Sequence, residues 1–498
     1  MTIKFGTSGW RGIIAKDFTF PYLRICTQAI AEEVFRNREH NKPIVVGYDT
    51  RFLSENFALE AGKILANNGL EVRFSNRDVP TPTVAFEIIR SGAAGGLNIT
   101  ASHNPWTYNG LKYSSGWGGP ALKEMTQSIE NSCEVLEENP AGIKTASKDP
   151  HLMDQLIQHL DFKTPYVKHI KSLIDAKAFR GRKLKVVVDV MHGTARGYLA
   201  ELLQDLGCQV ELIHEERDVY FAPGGSPDPS SVGLKDLVER VKKTKANLGL
   251  ATDGDADRFG VVDADGTITT ANDILALLTR YLHQSRGWTG IVAKSVMTTH
   301  AIDAAARKYG LEVKETPVGF KYIGEIMRQS ESIYPSQEGE FVMGAEESGG
   351  FSIRGHVPEK DGILACLLVA EMVASSKKTI KSLLDSFHEE VGVFINRRIN
   401  IQSTPNLVST LKEQFEHKPP THIDGLAVHR IVDLDGIKFI FHGGSWLGVR
   451  FSGTEPIIRL YLEGNSTKQL EILEKAGRSL LASAASTKAK TKKHLSLI

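Results

Sequence analysis

Three stretches of this chain repeat one plan, and that repetition limits the possible folds more than any other feature. In each, a short β-branched apolar run is followed by a helix-like segment and then by Gly-x-x-Val opening a second apolar run. The first goes from Ile44-Val45-Val46 to Gly69-Leu70-Glu71-Val72, the second from Val186-Val187-Val188 to Gly207-Cys208-Gln209-Val210, and the third from Ile291-Val292-Ala293 to Gly310-Leu311-Glu312-Val313. A strand, a helix closed by glycine and a second strand make a βαβ unit, which implies a partly parallel sheet covered by helices. Any α/β protein carries such units, but these recur at roughly 100–150 residues, the size of a domain. With 498 residues the chain also exceeds what one hydrophobic core organises. Three tandem α/β domains with partly parallel sheets are therefore expected.

After residue 392 the pattern changes. Val393–Ile401, Leu426–Leu434, Ile437–Phe441, Leu447–Ser452 and Ile457–Leu462 read as short strands, and Leu470–Leu481 reads as a helix. This predicts a smaller C-terminal α+β module with a mostly antiparallel sheet. The expected divisions are 1–145, 160–283, 284–392 and 393–485, with a basic tail over 486–498. Lys144–Pro150 reads as a polar linker and Gln284–Trp288 as a second divider.

A net charge of +1 gives no global reason to expect nucleic acid or a membrane as partner. The four cysteines, Cys26, Cys133, Cys208 and Cys366, form no CxxC pair, which fits a reducing cytosol better than a disulfide framework or a zinc site. The start, MTIKFGTSGWRG, lacks the apolar stretch of a secretory signal, and the longest apolar run, Gly362–Ala374, is too short for a bilayer and reads as a core helix. A cytoplasmic location is expected; monomer and dimer are equally open.

Four loops carry residues suited to chemistry. Thr100-Ala101-Ser102-His103-Asn104-Pro105 follows an apolar run and sets a serine on a turn, where it can be a nucleophile or simply a cap. Asp253-Gly254-Asp255-Ala256-Asp257-Arg258 places three carboxylates at alternate positions, a pattern that converges on one hard cation. It is not an EF-hand, because Arg258 stands where the turn glycine belongs and Ala264 where the last glutamate belongs. Gly344-Ala345-Glu346-Glu347-Ser348-Gly349-Gly350 offers acids and a hydroxyl for sugar hydroxyls. Arg450-Phe451-Ser452-Gly453-Thr454-Glu455-Pro456 has the composition of a phosphate cradle or of a hairpin turn.

In this order, one per domain, the loops resemble those of the α-D-phosphohexomutase family, of phosphoglucomutase and phosphomannomutase type. Phe5-Gly6-Thr7-Ser8-Gly9-Trp10-Arg11-Gly12, Tyr108-Asn109-Gly110-Leu111-Lys112, Thr316-Pro317-Val318-Gly319-Phe320-Lys321 and Glu359-Lys360-Asp361-Gly362 extend the resemblance over nearly the whole chain. It implies four domains around a central cleft and a Mg²⁺-dependent enzyme that interconverts hexose 1-phosphate and hexose 6-phosphate. Ser102 would carry the phosphoryl group, and Asp253, Asp255 and Asp257 would hold Mg²⁺ together with an oxygen on Ser102. Glu346 and Ser348 would bind sugar hydroxyls, and Arg450, Ser452, Gly453 and Thr454 the phosphate that does not react. Arg11, His103, Lys112, Arg258, Lys321 and Lys360 would surround the reacting groups.

Glucose 1,6-bisphosphate would be both intermediate and activator. Lys112 and Lys360, with a pKa lowered by neighbouring cations, or alternatively His103, would accept the proton. Glu346-Glu347-Ser348 resembles the glucose type, so glucose phosphate comes first and mannose phosphate second. Gly350 replaces the histidine found in some mannose and glucosamine types. Release of the bisphosphate by the same site, a glucosamine-type mutase and a non-catalytic sugar-phosphate binder remain the alternatives.

Overall fold

The computed structural model describes residues 3–145, 155–333, 340–451 and 457–495. All three repeats form the expected units. Strand Ile44–Tyr48 pairs in parallel with Val72–Ser75, Lys185–Asp189 with Gln209–Ile213, and Ile291–Ser295 with Glu312–Thr316. On its other side each first strand pairs in parallel with a third: Gly95–Ile99, Leu248–Thr252 and Phe341–Ala345. Each third strand then turns into an antiparallel neighbour, Tyr108–Ser115, Phe259–Asp263 or Phe351–Ile353. The loops carrying Ser102, the three aspartates and Glu346 are these turns, so they occupy one equivalent position in three mixed sheets. Carboxyl ends of parallel strands are where α/β sheets leave a crevice for ligands.

The central strands are continuous apolar runs because helices cover both faces. Every residue of Ile44–Tyr48 and Leu248–Thr252 is buried. The first sheet gains an edge strand, Ile157–Leu160, from beyond the expected linker, most of which (146–150) lies outside the described residues. Helix Gly362–Ser376 is buried through Ala374, as its unbroken apolar pattern requires. Its single acid, Glu371, is paired with Arg286 at 3.0 Å and accepts from Tyr281 Oη at 2.8 Å.

The C-terminal module is a six-stranded sheet in which Ile395–Gln402, Ile457–Gly464, Trp446–Phe451, Ile437–Phe441 and Leu426–Val432 follow one another antiparallel. Two elements were not anticipated from the sequence, the short edge strand His422–Ile423 and helix Pro405–His417. That helix had a readable start, because Thr404 accepts from Leu407 N–H and proline fills the first turn. The last helix, Thr467–Leu495, is longer than expected and runs through most of the segment read as a tail. All four cysteines are buried and free, and no helix among the described residues is long and apolar enough to cross a membrane.

Candidate active site

Ser102 sits three residues beyond strand Gly95–Ile99, with φ +53°, a left-handed conformation that a non-glycine residue adopts only when its surroundings enforce it. What enforces it is Arg51. This guanidinium is fully buried and donates to the carbonyls of Ser102 and Asn104 at 2.6 Å, of Pro105 at 2.9 Å and of Tyr108 at 3.1 Å. Asp49 balances its charge at 3.1 Å, and Arg217 of the second domain ties the Thr50 and Arg51 carbonyls from outside. Replacing Arg51 by Met strands Asp49 and several carbonyls in the interior. It should lower unfolding free energy by about 3–5 kcal/mol, measured by urea denaturation; a loss below about 1 kcal/mol, the size of one ordinary hydrogen bond, would contradict the latch.

The Ser102 hydroxyl lies 2.7 Å from Asp253 Oδ2 and 3.3 Å from His103 Nδ1. Asp253, Asp255 and Asp257 each offer an oxygen, and these lie within 4.8 Å of one another. All three residues are buried, and Asp255 Oδ1 and Asp257 Oδ1 have no hydrogen-bond partner. Buried carboxylate oxygens left bare at such spacing fit an oxygen-loving divalent cation. Burial first, then Asp257 and Asp255, push the Asp253 carboxyl well above its ordinary range. Asp257 goes the other way: burial opposes its charge, but Lys112, Lys360 and Arg258 outweigh it.

Lys112 Nζ is 2.5 Å from Asp255 and 2.6 Å from Asp257, and Lys360 Nζ is 3.3 Å from Asp257 and 2.7 Å from Glu359. Burial disfavours both ammonium groups, yet the carboxylates they touch hold both above the usual lysine value. The lowered lysine pKa expected from sequence is therefore reversed, because acids rather than cations are their nearest neighbours. His103 has the low value instead. Burial, then Arg258 and Arg11, depress it well below that of free imidazole, so the ring is neutral. Arg11 reaches the same loop through Asn104 Oδ1 at 2.6 Å, and the Arg258 Nε–Asp257 Oδ1 separation is 3.9 Å.

The third loop closes through Glu346 N–H to the Gly350 carbonyl at 2.9 Å, leaving Ser348 half-buried at its tip. Glu346 Oε1 accepts from Gly319 N–H at 2.8 Å, and burial pushes its carboxyl up to about 7, with Lys360 opposing. This acid favours the folded state when protonated. Its contribution is complete below about 4.3 and is lost as pH rises through about 7. Melting curves from pH 5 to 8 should accordingly show wild type losing stability relative to Glu346→Gln; parallel curves would contradict the raised value.

Arg450 donates through Nε to Asp435 Oδ2 at 3.0 Å, and the same oxygen accepts from Val318 N–H at 3.0 Å. One carboxylate thus joins the fourth-domain arginine to the backbone beside Gly319. Ser452, Gly453 and Thr454 lie outside the described residues. Lys321 faces a different neighbourhood, with its Nζ 5.2 Å from the Tyr322 ring centre and Glu124 and Lys123 as its charged neighbours. The structure therefore gathers Arg11, Ser102, His103, Lys112, the three aspartates, Arg258 and Lys360 around one point, with Glu346 beside Lys360. Arg51, Asp49 and Thr81, whose Oγ1 donates to Asp255 Oδ2 at 2.5 Å, were missed. Their only sequence signal is a polar Asp-Thr-Arg or Thr-Pro at a strand or helix end.

The family patterns for phosphoglucomutase/phosphomannomutase alpha/beta/alpha domains I, II and III match residues 2–140, 164–266 and 270–391, and that for the C-terminal domain matches 411–477. The third match begins ahead of helix Ala271–Arg286, earlier than the division at 283/284 drawn from sequence. A phosphoglucomutase/phosphomannomutase of Thermococcus kodakarensis is 29% identical over 96% of this chain and 98% of its own. A phosphoglucosamine mutase of Caldicellulosiruptor bescii is 29% identical over 97% and 99%. A solved structure from Thermus thermophilus, described as a phosphomannomutase, superposes with a TM-score of 0.81 at 30% identity, covering 97% of this chain and 100% of that one. With all four domain patterns matched in order and the fold shared end to end, the chain belongs to the phosphoglucomutase/phosphomannomutase family of α-D-phosphohexomutases and is an intramolecular phosphotransferase.

Proposed function

We propose that this enzyme interconverts hexose 1-phosphate and hexose 6-phosphate, glucose first and mannose second, through phosphorylated Ser102. The observation that carries this reading is the 2.7 Å approach of Ser102 Oγ to Asp253 in a buried trio of carboxylates. A serine used only as a cap has no reason to meet a carboxylate of such a trio. A divalent ion such as Mg²⁺, held by Asp253, Asp255, Asp257 and an oxygen on Ser102, would supply charge neutralisation at the phosphoryl group.

Phosphoryl transfer depends on positioning and charge more than on covalent help. A sugar hydroxyl attacks phosphorus, the phosphorus–Oγ bond of Ser102 breaks, and the hydroxyl proton passes to a base. His103 supports that role by standing 3.3 Å from Ser102 Oγ, while burial, Arg258 and Arg11 disfavour its charged form and leave the ring free to accept. Lys112, Lys360, Arg258 and Arg11 stay cationic and neutralise the migrating charge. The resulting hexose 1,6-bisphosphate turns over while Arg450 and its loop, with Ser452, Gly453 and Thr454, grip the phosphate not reacting and Glu346 and Ser348 hold sugar hydroxyls. The second phosphate then returns to Ser102, and added glucose 1,6-bisphosphate activates by loading Ser102.

The glucose preference rests on the likeness of Glu346-Glu347-Ser348 to the glucose type, and position 350 is compatible with it. A Cβ there would lie 2.6 Å from Lys360 Cδ and 2.9 Å from Glu346 Oε2, so Gly350 lets those two side chains share the space a larger residue would take. The test is turnover of glucose, mannose and glucosamine 1-phosphates with Mg²⁺ and glucose 1,6-bisphosphate. Conversion to 6-phosphates, fastest for glucose, is expected. Accumulation of free bisphosphate without 6-phosphate, or no conversion of any sugar, would overturn the mutase reading.

A further inference from the structure

Immediately after Lys360, Asp361 is fully buried and its carboxylate is saturated. Tyr166 Oη donates to Oδ2 at 2.6 Å, His356 Nε2 lies 2.8 Å from the same oxygen, and Leu364 N–H donates to Oδ1 at 2.9 Å. His356 Nδ1 lies 3.1 Å from His169 Nε2, and His169 stacks on Phe86 with ring centres 4.8 Å apart. The chain of contacts crosses three domains. Phe86 is on helix Thr81–Ser91, Tyr166 and His169 are on helix Lys163–Leu173, and His356 and Asp361 flank the Lys360 turn.

Among the described residues, no side chain of Phe86, Tyr166, His169, His356 or Asp361 is hydrogen-bonded to the acids or cations around Ser102, so the network's value is indirect. Asp361 has two outlets. One is Lys360, the preceding residue, whose ammonium meets Asp257. The other is Gly362, whose N–H donates 2.9 Å to the carbonyl of Ala256, between Asp255 and Asp257. The two turns touch so closely that a Cβ on Gly362 would lie 2.1 Å from the Arg258 carbonyl oxygen. A rotation of Asp361 therefore moves a reaction-centre cation and the metal loop together. An apolar joint of equal volume is often as stable as a buried polar one, so what this joint adds is a fixed geometry.

We propose that Tyr166, His356 and His169 are positioning residues. They hold Asp361, and through it Lys360 and the Ala256 corner of the metal loop, in register for phosphoryl transfer. The proposal rests on the mutase reading above.

Misplacing reacting groups by 1 Å can slow a reaction about 100-fold. His356→Leu is expected to lower kcat at least about 10-fold with KM for glucose 1-phosphate within about twofold, the pattern of a group acting only on the transition state. His356→Gln, whose side-chain amide keeps a donor near the Nε2 position, should return kcat to within about threefold of wild type. Tyr166→Phe should act in the same direction, and the double variant His356→Leu/Tyr166→Phe should fall short of the product of the two. Mg²⁺ affinity, from isothermal titration of the same proteins, should weaken about 10-fold in His356→Leu and recover in His356→Gln, as for other groups that orient metal ligands. Melting temperatures establish that each variant is folded at the assay temperature, and Tyr166→Phe carries the test if His356→Leu is not. A lowered melting temperature with unchanged kcat and Mg²⁺ affinity would reduce the network to packing and overturn the proposal. So would a Gln variant as impaired as the Leu one. If wild type converts no hexose phosphate, the mutase reading fails by itself, and the Mg²⁺ affinities still decide the positioning role.

Discussion

Ser102→Ala is expected to fold normally and to lose mutase turnover by at least about 10³-fold, because no other group can take over the covalent step. Intact-mass analysis of the wild type should show a phosphorylated fraction that is absent from the variant. The geometry also supplies an internal control. Ser102 has φ +53°, enforced by the Arg51 latch. Glycine adopts that backbone without strain and alanine does not. Ser102→Gly should therefore be at least as stable as Ser102→Ala and equally inactive, so that inactivity cannot be assigned to misfolding. Retention of more than about a tenth of wild-type turnover in either variant would remove Ser102 as the phosphoryl carrier, since losing a covalent nucleophile costs orders of magnitude.

The parts of this site that were legible in the sequence are those whose partners are close in the chain. The alternation Asp253-x-Asp255-x-Asp257 announces a converging trio because backbone geometry over five residues leaves little choice. The βαβ repeats were legible for a similar reason: the period of the apolar residues reports which faces are covered. Arg51 was not legible, since its role depends on four carbonyls that lie 51 to 57 residues further along the chain. Thr81 was hidden in the same way, meeting an aspartate 174 residues away. Charge environment was read with the wrong sign. The sequence shows many cations near the reacting groups, but only the fold shows that Lys112 and Lys360 point at Asp255 and Asp257 rather than at each other.

Asp253→Asn should have effects of opposite sign on stability and on function. The cations near the trio crowd onto Asp257, so Asp253 is left with Ser102 Oγ and with backbone N–H donors from Asp257 and Arg258. Burial and the other two carboxylates consequently hold its carboxyl well above the ordinary range. An acid raised in the folded state stabilises it fully below its unfolded value, near 3.9, and that contribution is lost as pH rises through the folded value. In a chelating buffer, wild type should thus lose stability as pH climbs from about 4 toward neutrality, whereas the Asn variant, having nothing to titrate there, should not. At pH 7 with chelator the variant should melt above wild type. Saturating Mg²⁺ reverses the order, because a ligand that binds only the folded protein stabilises it by mass action. Wild type should gain in melting temperature, while the variant, with one carboxylate ligand neutralised, should bind Mg²⁺ at least about 100-fold more weakly and turn over sugar phosphate correspondingly slowly. If the variant instead melts below wild type in chelator at pH 7, the acids are already neutralised by Lys112, Lys360 and Arg258, and the case for a cation drawn there by unbalanced charge falls with it.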